Sequence, residues 1–466
     1  MRIRLFGQHV HLSIAALALI EFCLFVVTLF VAALIRFALD LDEVERSQGT
    51  LWPRALLFAV MVSASLLAFG LYSARQRARS AGIFVRVIAA TGTGVALTTV
   101  VFFLVPNLWI GRGVLALAAI GAALAVALAR IVFARAVDEA VLKRRVLVYG
   151  AGRNAIPLVQ LRRRSDQRGF LLVGFLSPDG EPPAVPADRV ITSDSTLLDL
   201  CRRLDVDEVV VAMDDRRRAF PIRELLACRL AGIDVTELLT FLERETGRVR
   251  IDVLNPSWMI FGEGFRRGSV RLFTSRVLDL VASSLIIVLS SPLMIATAIA
   301  IKFEDGWRAP VMYRQERVGL AGRTFQLLKF RSMRTDAEAS GQARWAQKDD
   351  PRVTRVGSVI RKMRIDELPQ ILNVLRGHMG FVGPRPERPQ FVAELSERIP
   401  YYVERHCVKP GITGWAQLCY PYGSSEKDAV EKLQYDLYYI KNNGLLFDLA
   451  ILAQTAEVVF MGKGAR

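Results

Sequence analysis

The segment VLDLVASSLIIVLSSPLMIATAIAI, Val277 to Ile301, decides how this chain is built. It is long enough to cross a hydrocarbon core, for which about 20 apolar residues suffice. Two features argue that it turns back instead. Pro292 lies near its centre, lacks an amide hydrogen and crowds the preceding turn, so the helix is expected to kink or break at Ser290-Ser291-Pro292. Both flanks are also basic, with Arg266, Arg267, Arg271 and Arg276 before the segment and Lys302 and Arg308 after it. A crossing segment shows charge asymmetry, whereas one that dips in and returns is basic at both ends. Backbone groups freed at the break need partners, and the Ser290 and Ser291 hydroxyls can supply them. The alternative is an ordinary fifth span with a proline kink, which would carry everything beyond it across the membrane.

Toward the N-terminus lie four further apolar stretches, about His11 to Ile35, Leu56 to Tyr72, Val85 to Pro106 and Val114 to Val132. Each approaches or exceeds a membrane-spanning length. Their loops alternate in charge. Arg2 and Arg4 precede the first; Asp40, Asp42, Glu43 and Glu45 follow it; Arg75, Arg77, Arg79 and Arg86 separate the second and third; Lys143, Arg144 and Arg145 follow the fourth. The positive-inside rule then puts both ends of this bundle in the cytoplasm, and the rest of the chain begins there. Glu21 falls inside the first span, where an ionised carboxylate is costly, and is read either as a polar contact to another span or ligand or as a protonated or interhelically paired residue.

At 466 residues the chain is expected to form about three units. Apolar residues make up 52% and the net charge is +16, a surplus suited to anionic headgroups or phosphorylated substrates. Nucleic acid is excluded as a partner, because the basic residues sit among span flanks and turns and not on a reading helix. Five cysteines without a CxxC pair and four histidines argue against a zinc site or a disulfide framework. No cleavable leader is read at the N-terminus.

Between the spans and the interrupted segment, Arg145 to Gly150 reads as a buried strand, followed by Gly150-Ala151-Gly152-Arg153-Asn154-Ala155. Strand candidates at Leu171 to Leu176 and Glu208 to Met213, with a helix at Thr196 to Leu204, give the alternation of a parallel, Rossmann-like α/β sheet. Gly150 and Gly152 either let the backbone approach a pyrophosphate or serve only a tight strand-to-helix turn. The acidic residue expected after the second strand for a ribose is absent, with Ser177-Pro178-Asp179 in its place. The expected organisation is residues 1–140, four transmembrane helices; 141–265, the nucleotide-fold domain; and 266–466, a mainly α catalytic domain with a re-entrant helix over 275–302.

After the interrupted segment come Arg314-Gln315-Glu316-Arg317-Val318-Gly319, Lys329-Phe330-Arg331-Ser332-Met333, Asp350-Pro351-Arg352, Arg361, Arg364-Ile365-Asp366-Glu367-Leu368-Pro369-Gln370, Val382-Gly383-Pro384-Arg385-Pro386 and Lys409-Pro410-Gly411-Ile412-Thr413-Gly414-Trp415. Many cations surround few acids. Arg314, Arg317, Lys329, Arg331, Arg361, Arg385 and Lys409 are candidate contacts to a phosphorylated substrate. Asp366 and Glu367 repel each other unless cations or a metal offset them, and paired carboxylates with substrate phosphates suit Mg²⁺. A carboxylate can also act as a nucleophile and split a phosphoryl transfer into two steps. The rival reading of the pair is an exposed helix turn bridged to Arg361 and Arg364; Pro369, just after it, limits the local helix. Phe447 to Phe460 reads as an apolar helical tail, lying in the interface or packed beneath this cluster.

In this order the Ser-Pro break and the RQERVG, KFRSM, DELPQ, VGPRP and KPGITGW motifs resemble the bacterial sugar transferase family, the polyprenyl-phosphate hexose-1-phosphate transferases. The match runs from about Arg276 to the C-terminus, and the preceding spans and nucleotide-fold domain resemble the long-form members. The resemblance implies a monotopic catalytic domain on the cytoplasmic face of the bacterial inner membrane. It implies Asp366 as nucleophile on the sugar-linked phosphorus of a UDP-sugar, release of UMP, and transfer to undecaprenyl phosphate. Glu367 corresponds to the second member of the family's dyad, a Mg²⁺ ligand or base, while Lys329, Arg361 and Arg385 align with cationic positions around the phosphates. A homodimer is a further expectation from the long form. Two rivals remain: a nucleotide-sugar oxidoreductase or epimerase centred on Gly150 to Ala155, and a non-catalytic scaffold for polysaccharide assembly.

Overall fold

The computed structural model describes all residues except 1, 6–7, 39, 70, 73–79, 137–142, 162–168, 179–181, 194, 216–219, 255–258, 260–263, 265–267, 335–351, 421–422, 424 and 461–466. Arg75, Arg77 and Arg79, Arg266 and Arg267, Asp179, and Asp350-Pro351 therefore lie outside the described residues. The chain divides into two compact units, Met1–Thr246 and Gly247–Arg466.

The first unit opens with an antiparallel ribbon, β1 (Arg2–Leu5) and β2 (Gln8–His11). Five helices follow: α1 (Leu12–Arg36), α2 (Leu41–Gln48), α3 (Trp52–Ala68), α4 (Ser80–Leu104) and α5 (Arg112–Ala136). Stretches within α1, α4 and α5 are long and apolar enough to cross a membrane, and α3 is a shorter apolar helix of 17 residues. The short polar α2 is the acidic loop after the first span, now a helix. Glu21 on α1 is fully buried and pairs with Arg130 on α5, Nε to Oε1 at 2.9 Å and Nη2 to Oε2 at 3.1 Å. Arg130 also donates to the Leu71 carbonyl at 2.8 Å. Of the two readings of Glu21, the interhelical pair is the one realised.

The α/β part of this unit contains β3 (Arg144–Tyr149), α6 (Ile156–Val159), β4 (Phe170–Leu176), β5 (Val190–Ile191), α7 (Leu197–Arg203), β6 (Glu208–Val211), α8 (Ile222–Leu230), β7 (Asp234–Glu237) and α9 (Leu238–Thr246). All its strands are parallel, in the order β5-β4-β3-β6-β7. The central strands carry unbroken β-branched and Leu runs because both of their faces are covered. Leu147, Val209 and Val211 from the sheet pack against Leu197, Leu200 and Leu225 from α7 and α8.

The second unit begins at Gly247, ahead of the boundary expected at residue 266. The Trp415 indole donates to the Gly247 carbonyl at 2.7 Å and the Val249 amide donates to the Gln434 carbonyl at 3.0 Å, which binds this segment to the C-terminal core. Its elements are α10 (Ser269–Asp305), the antiparallel pair β8 (Met312–Val318) and β9 (Thr324–Phe330), α11 (Arg355–Lys362), α12 (Gln370–Leu375), β10 (Gly380–Val382), α13 (Pro389–Arg398), β11 (Gly411–Thr413), α14 (Trp415–Cys419), α15 (Glu426–Asn442) and α16 (Leu445–Phe460). β10 and β11 pair in parallel. The tail helix α16 packs on the core: Ile451 is fully buried, and Phe447 meets the Trp415 ring edge-on at 5.2 Å.

Helix α10 continues through Pro292 for 37 residues, so of the kink or break expected there the helix shows no break. Pro292 cannot donate to the carbonyl four residues earlier, that of Val288. The Ser291 hydroxyl donates to that same carbonyl at 2.9 Å, so the orphaned acceptor is satisfied within the helix. Ser290 turns instead to the Met294 sulfur at 3.5 Å. Both ends of α10 are tied to the unit it belongs to. Near its start, Arg276 donates to the Val374 and Leu375 carbonyls at 2.7 and 2.6 Å, and Asp279 accepts from the Phe381 amide at 2.9 Å. At its end, Glu304 accepts from the Arg355 and Val356 amides at 2.7 and 3.0 Å, and Asp305 pairs with Arg331 at 2.7 Å. Between them, Leu285, Val288 and Leu289 are exposed.

Candidate functional site

The acid pair owes its position to a chain reversal. Thr354 caps α11 by accepting from the Gly357 amide at 2.9 Å, and the helix ends at Lys362. Arg364 then takes a left-handed conformation (φ 57°), turning the chain into a short 3₁₀ turn, Ile365–Glu367. Ile365 is the inward anchor of that turn, packed with Ile301, Phe330 and Ile360. Its two neighbours are thereby directed away from the apolar cluster and remain partly exposed. Pro369 sits at the N-cap of α12, where its missing amide costs nothing, so the pair falls between two helices and not on an exposed helix face. On α12, the fully buried Asn373 accepts from the Leu328 amide at 3.0 Å and donates to the Gln326 carbonyl at 2.7 Å. This brackets β9 to the segment carrying the acids, and β9 carries Lys329.

Glu367 is held by two cations, Lys329 at 3.4 Å and Arg385 at 3.1 Å. Burial would raise its carboxyl, but Arg385 and Lys329 more than offset that and hold it at about 2. Asp366 behaves differently. Burial moves its carboxyl above the ordinary range, Glu367 adds to the rise, and Lys329 and Arg361 act against it. Neither ion pair reaches Asp366. Burial lowers the Lys329 ammonium, with Glu367 opposing. Adjacent carboxyls thus have opposed environments: one is a fixed anion and the other is a less encumbered oxygen donor facing positive charge. Among the described residues no group of three or more His, Cys, Asp or Glu side chains could hold a metal. The two carboxylates fit Mg²⁺ only as partners of phosphate oxygens.

Of the seven cations read from the sequence, Lys329, Arg361 and Arg385 gather around the acids. Arg317 lies close by but is spent on protein acceptors. Its Nε and Nη2 donate to Gln315 at 3.0 and 2.6 Å, and its Nη1 donates to the Pro386 carbonyl at 2.9 Å. Burial lowers its guanidinium to about 10. Arg331 is buried on the end of α10 through Asp305. Arg314, one residue out of phase with Arg317 on β8, is exposed on the opposite face of the ribbon. The Lys409 side chain lies instead beside Arg276 and Asp279, near Gly377.

The glycine turn of the α/β sheet has a role inside the protein. Gly150 has φ +120°, and a Cβ there would fall 2.5 Å from the Ala212 carbonyl carbon, so only glycine fits between β3 and the end of β6. After Gly152 the Arg153 and Asn154 amides, which would face a pyrophosphate, donate to the Asp214 carboxylate at 2.8 and 2.7 Å. Among the described residues, the helical segments that follow are a single 3₁₀ turn and the four-residue α6. Gly150 thus serves a tight strand-to-helix turn, and the two amides after Gly152 are taken by a protein carboxylate.

Sequence reasoning missed Arg405 and Asp436. They are buried partners at 2.9 Å, and Arg405 also donates to the Arg385 carbonyl at 3.1 Å. Their only signal was charge at apolar-core positions: Asp436 sits between Tyr435 and Leu437 in α15.

The site joins two adjacent carboxyls to Lys329, Arg361 and Arg385 in a chain with helices long and apolar enough to cross a membrane. The comparisons are more specific. The model of a family described as bacterial sugar transferase matches residues 270–462. The chain is 44% identical over 261 residues to the UDP-N-acetylgalactosamine-undecaprenyl-phosphate N-acetylgalactosaminephosphotransferase of Aeromonas hydrophila, covering 56% of this chain and 60% of that protein. It is 33% identical over 334 residues to the undecaprenyl-phosphate glucose phosphotransferase of Komagataeibacter xylinus, covering 70% and 60%. With the UDP-glucose:undecaprenyl-phosphate glucose-1-phosphate transferase of Klebsiella pneumoniae it shares 32% over 330 residues, 69% of each chain. The chain thus spans 60% of the length of the first two. It belongs to the bacterial sugar transferase family.

Proposed function

We propose that this protein transfers hexose-1-phosphate from a UDP-sugar to undecaprenyl phosphate through a covalent aspartyl intermediate. The observation that carries this reading is the division of labour in the acid pair, with Glu367 held by Lys329 and Arg385 while Asp366 carries no ion pair among the described residues. An Asp366 oxygen attacks the sugar-linked phosphorus. The bond to the UMP oxygen breaks, UMP leaves with the electron pair, and an acyl phosphate joins Asp366 to the sugar. A phosphate oxygen of undecaprenyl phosphate then attacks the same phosphorus, forming the lipid diphosphate and returning the carboxylate. Lys329, Arg361 and Arg385 offset the charge that gathers on the phosphoryl oxygens. Mg²⁺, held by Glu367 and Asp366 with donor phosphate oxygens, would neutralise the diphosphate when bound.

The acceptor is a lipid, so the site has to work at a bilayer surface. Helix α10 is read as re-entrant, entering the inner membrane from the cytoplasmic face and returning. Its support is the fastening of both ends to one unit with exposed apolar residues between them, and Pro292 at its centre lets the helix bend back while its helical run stays continuous. The α/β part is read as Rossmann-like from its strand order and as a scaffold or regulatory domain, since Asp214 already occupies its glycine turn.

Membranes carrying the wild type, Asp366→Asn or Glu367→Gln are to be given a panel of radiolabelled UDP-hexoses with undecaprenyl phosphate and Mg²⁺. The wild type should release UMP and label lipid with one donor, and Asp366→Asn should do neither. Normal UMP release by Asp366→Asn would remove the mechanism. Single cysteines replacing Val270 and Phe303 should label from the same side of the membrane, and labelling from opposite sides would remove the re-entrant reading.

A further inference from the structure

The segment Pro384 to Glu387 carries the Arg385 side chain to Glu367, and its backbone is held in an unusual way. Two of its four residues are prolines and supply no amide. Each of its four carbonyls nevertheless accepts a hydrogen bond from a different donor. Pro384 accepts from the Gly411 amide at 3.0 Å, Arg385 from Arg405 at 3.1 Å, Pro386 from Arg317 at 2.9 Å and Glu387 from the Val318 amide at 2.9 Å. Two of the four donors are guanidinium groups, both taken out of bulk water.

Arg405 is the more deeply placed. It donates to the Tyr402 hydroxyl at 2.7 Å and to Asp436 at 2.9 Å, lies over the Tyr402 ring at 5.1 Å, and is 6% exposed. Removing such a charge from water costs several kcal/mol, which a well-packed apolar residue would not incur. What the guanidinium supplies that an apolar side chain cannot is a directed donor to the Arg385 carbonyl.

We infer that Arg405, locked by Asp436, is a positioning residue for the transfer reaction: it fixes the backbone of Arg385 so that the Arg385 guanidinium stays on Glu367. Arg405 itself reaches neither acid. The inference rests on the proposed transferase reading for its activity assay and is independent of it for its structural assay. Lysine at position 405 keeps the charge beside Asp436 but cannot reach two acceptors in fork geometry.

The test uses the full chain in nanodiscs, as wild type, Arg405→Lys, Arg385→Ala and the double variant. Lipid-linked product formation and hydrogen exchange of residues 380–388 are followed. Arg405→Lys should lower kcat by about 10- to 100-fold, the loss expected when a catalytic group is displaced by about 1 Å, with KM for the UDP-sugar little changed. In the Arg385→Ala background the same substitution should cost less than about 3-fold, because a residue acting through Arg385 has nothing left to position. Amides of residues 385, 387 and 388 should exchange faster in Arg405→Lys and not in Arg385→Ala. Equal fold-losses in both backgrounds, or unchanged exchange in Arg405→Lys, would overturn the inference. If the wild type forms no product, the transferase reading falls and the exchange comparison alone decides. If Arg405→Lys does not fold, Asp436→Asn, which keeps an acceptor for Arg405 but removes its counter-charge, takes its place with the same criteria.

Discussion

Replacing Asn373 by Ala deletes the bracket between the acid-bearing segment and β9. The side chain is fully buried and makes two hydrogen bonds to main-chain groups, from the Leu328 amide at 3.0 Å and to the Gln326 carbonyl at 2.7 Å. An unsatisfied buried group costs about 1–3 kcal/mol. Leu328 is buried, so its amide would bear most of that penalty, whereas Gln326 is exposed and water can recover part of the loss at its carbonyl. With the small cavity left behind, the sum is about 2–4 kcal/mol. For a unit of this size each kcal/mol moves Tm by about 2–4 °C, so Asn373→Ala should melt roughly 5–15 °C lower. Because β9 carries Lys329, 3.4 Å from Glu367, transfer should fall below the temperature-matched wild type even where the variant is folded. Trp fluorescence melts of the detergent-solubilised chain, with lipid-product assays at 20 °C, measure both effects. A Tm within 2 °C of the wild type, with activity intact, would refute the role assigned to Asn373.

Two groups of the second unit, His406 and Glu367, lose stabilising contributions in acid, while the buried Asp436 and Asp448, both raised to about 6, oppose them as pH falls from 6 toward 3.8. The buried His406 imidazole is held down to about 4 by burial and by Arg405, so the folded chain binds fewer protons there, and its contribution is complete above pH 6.5 and lost as pH falls toward 4. Glu367, at about 2 against an ordinary 4.5, adds a contribution complete above pH 4.5 and lost toward pH 2. Each is worth about 3 kcal/mol at 1.36 kcal/mol per unit, so the stability of the wild type relative to His406→Gln, from urea titrations, should fall by about that amount between pH 6.5 and 4; a difference that does not change with pH would refute it. Gly150→Ala should destabilise the α/β part by roughly 3 kcal/mol or more, through a strained φ and a clash with the Ala212 main chain, read by hydrogen exchange of β3 and β6. Arg314→Ala should leave transfer within about 2-fold of the wild type, because Arg314 is exposed on the face away from Arg317, whereas Lys329→Ala should lower it by about 10²-fold or more; parallel assays of lipid-linked product distinguish them.

Much of the architecture was written locally in the chain. Apolar length marks the membrane helices, and the alternation of short apolar runs with helical stretches marks the parallel sheet, because each pattern reports the solvent on both sides of a single element. The motifs from Arg314 to Trp415 identify the family by residue type and order alone. What the patterns could not convey is where a polar group finds its partner. Pro292 reads as a kink or break, and Ser291 one residue away satisfies the Val288 carbonyl, so that the helix continues without a break. Gly150 to Ala155 reads as either a phosphate turn or a tight turn, and it is the Asp214 carboxylate, some sixty residues on, that accepts from its Arg153 and Asn154 amides.

The same limit applies to the cations. In sequence Arg317, Arg331, Lys329 and Arg385 are equivalent, basic residues in short motifs near an acid pair. The tertiary structure separates them: Lys329 and Arg385 face Glu367, Arg317 is consumed by Gln315 and Pro386, and Arg331 is buried against Asp305. The sequence by itself determined which elements form and that a basic, acid-poor surface would be built, since local period and composition govern both. Only the tertiary structure decided which charges face the acid pair, because hydrogen-bond donors are claimed by whichever acceptor packing brings within about 3 Å, however distant in the chain.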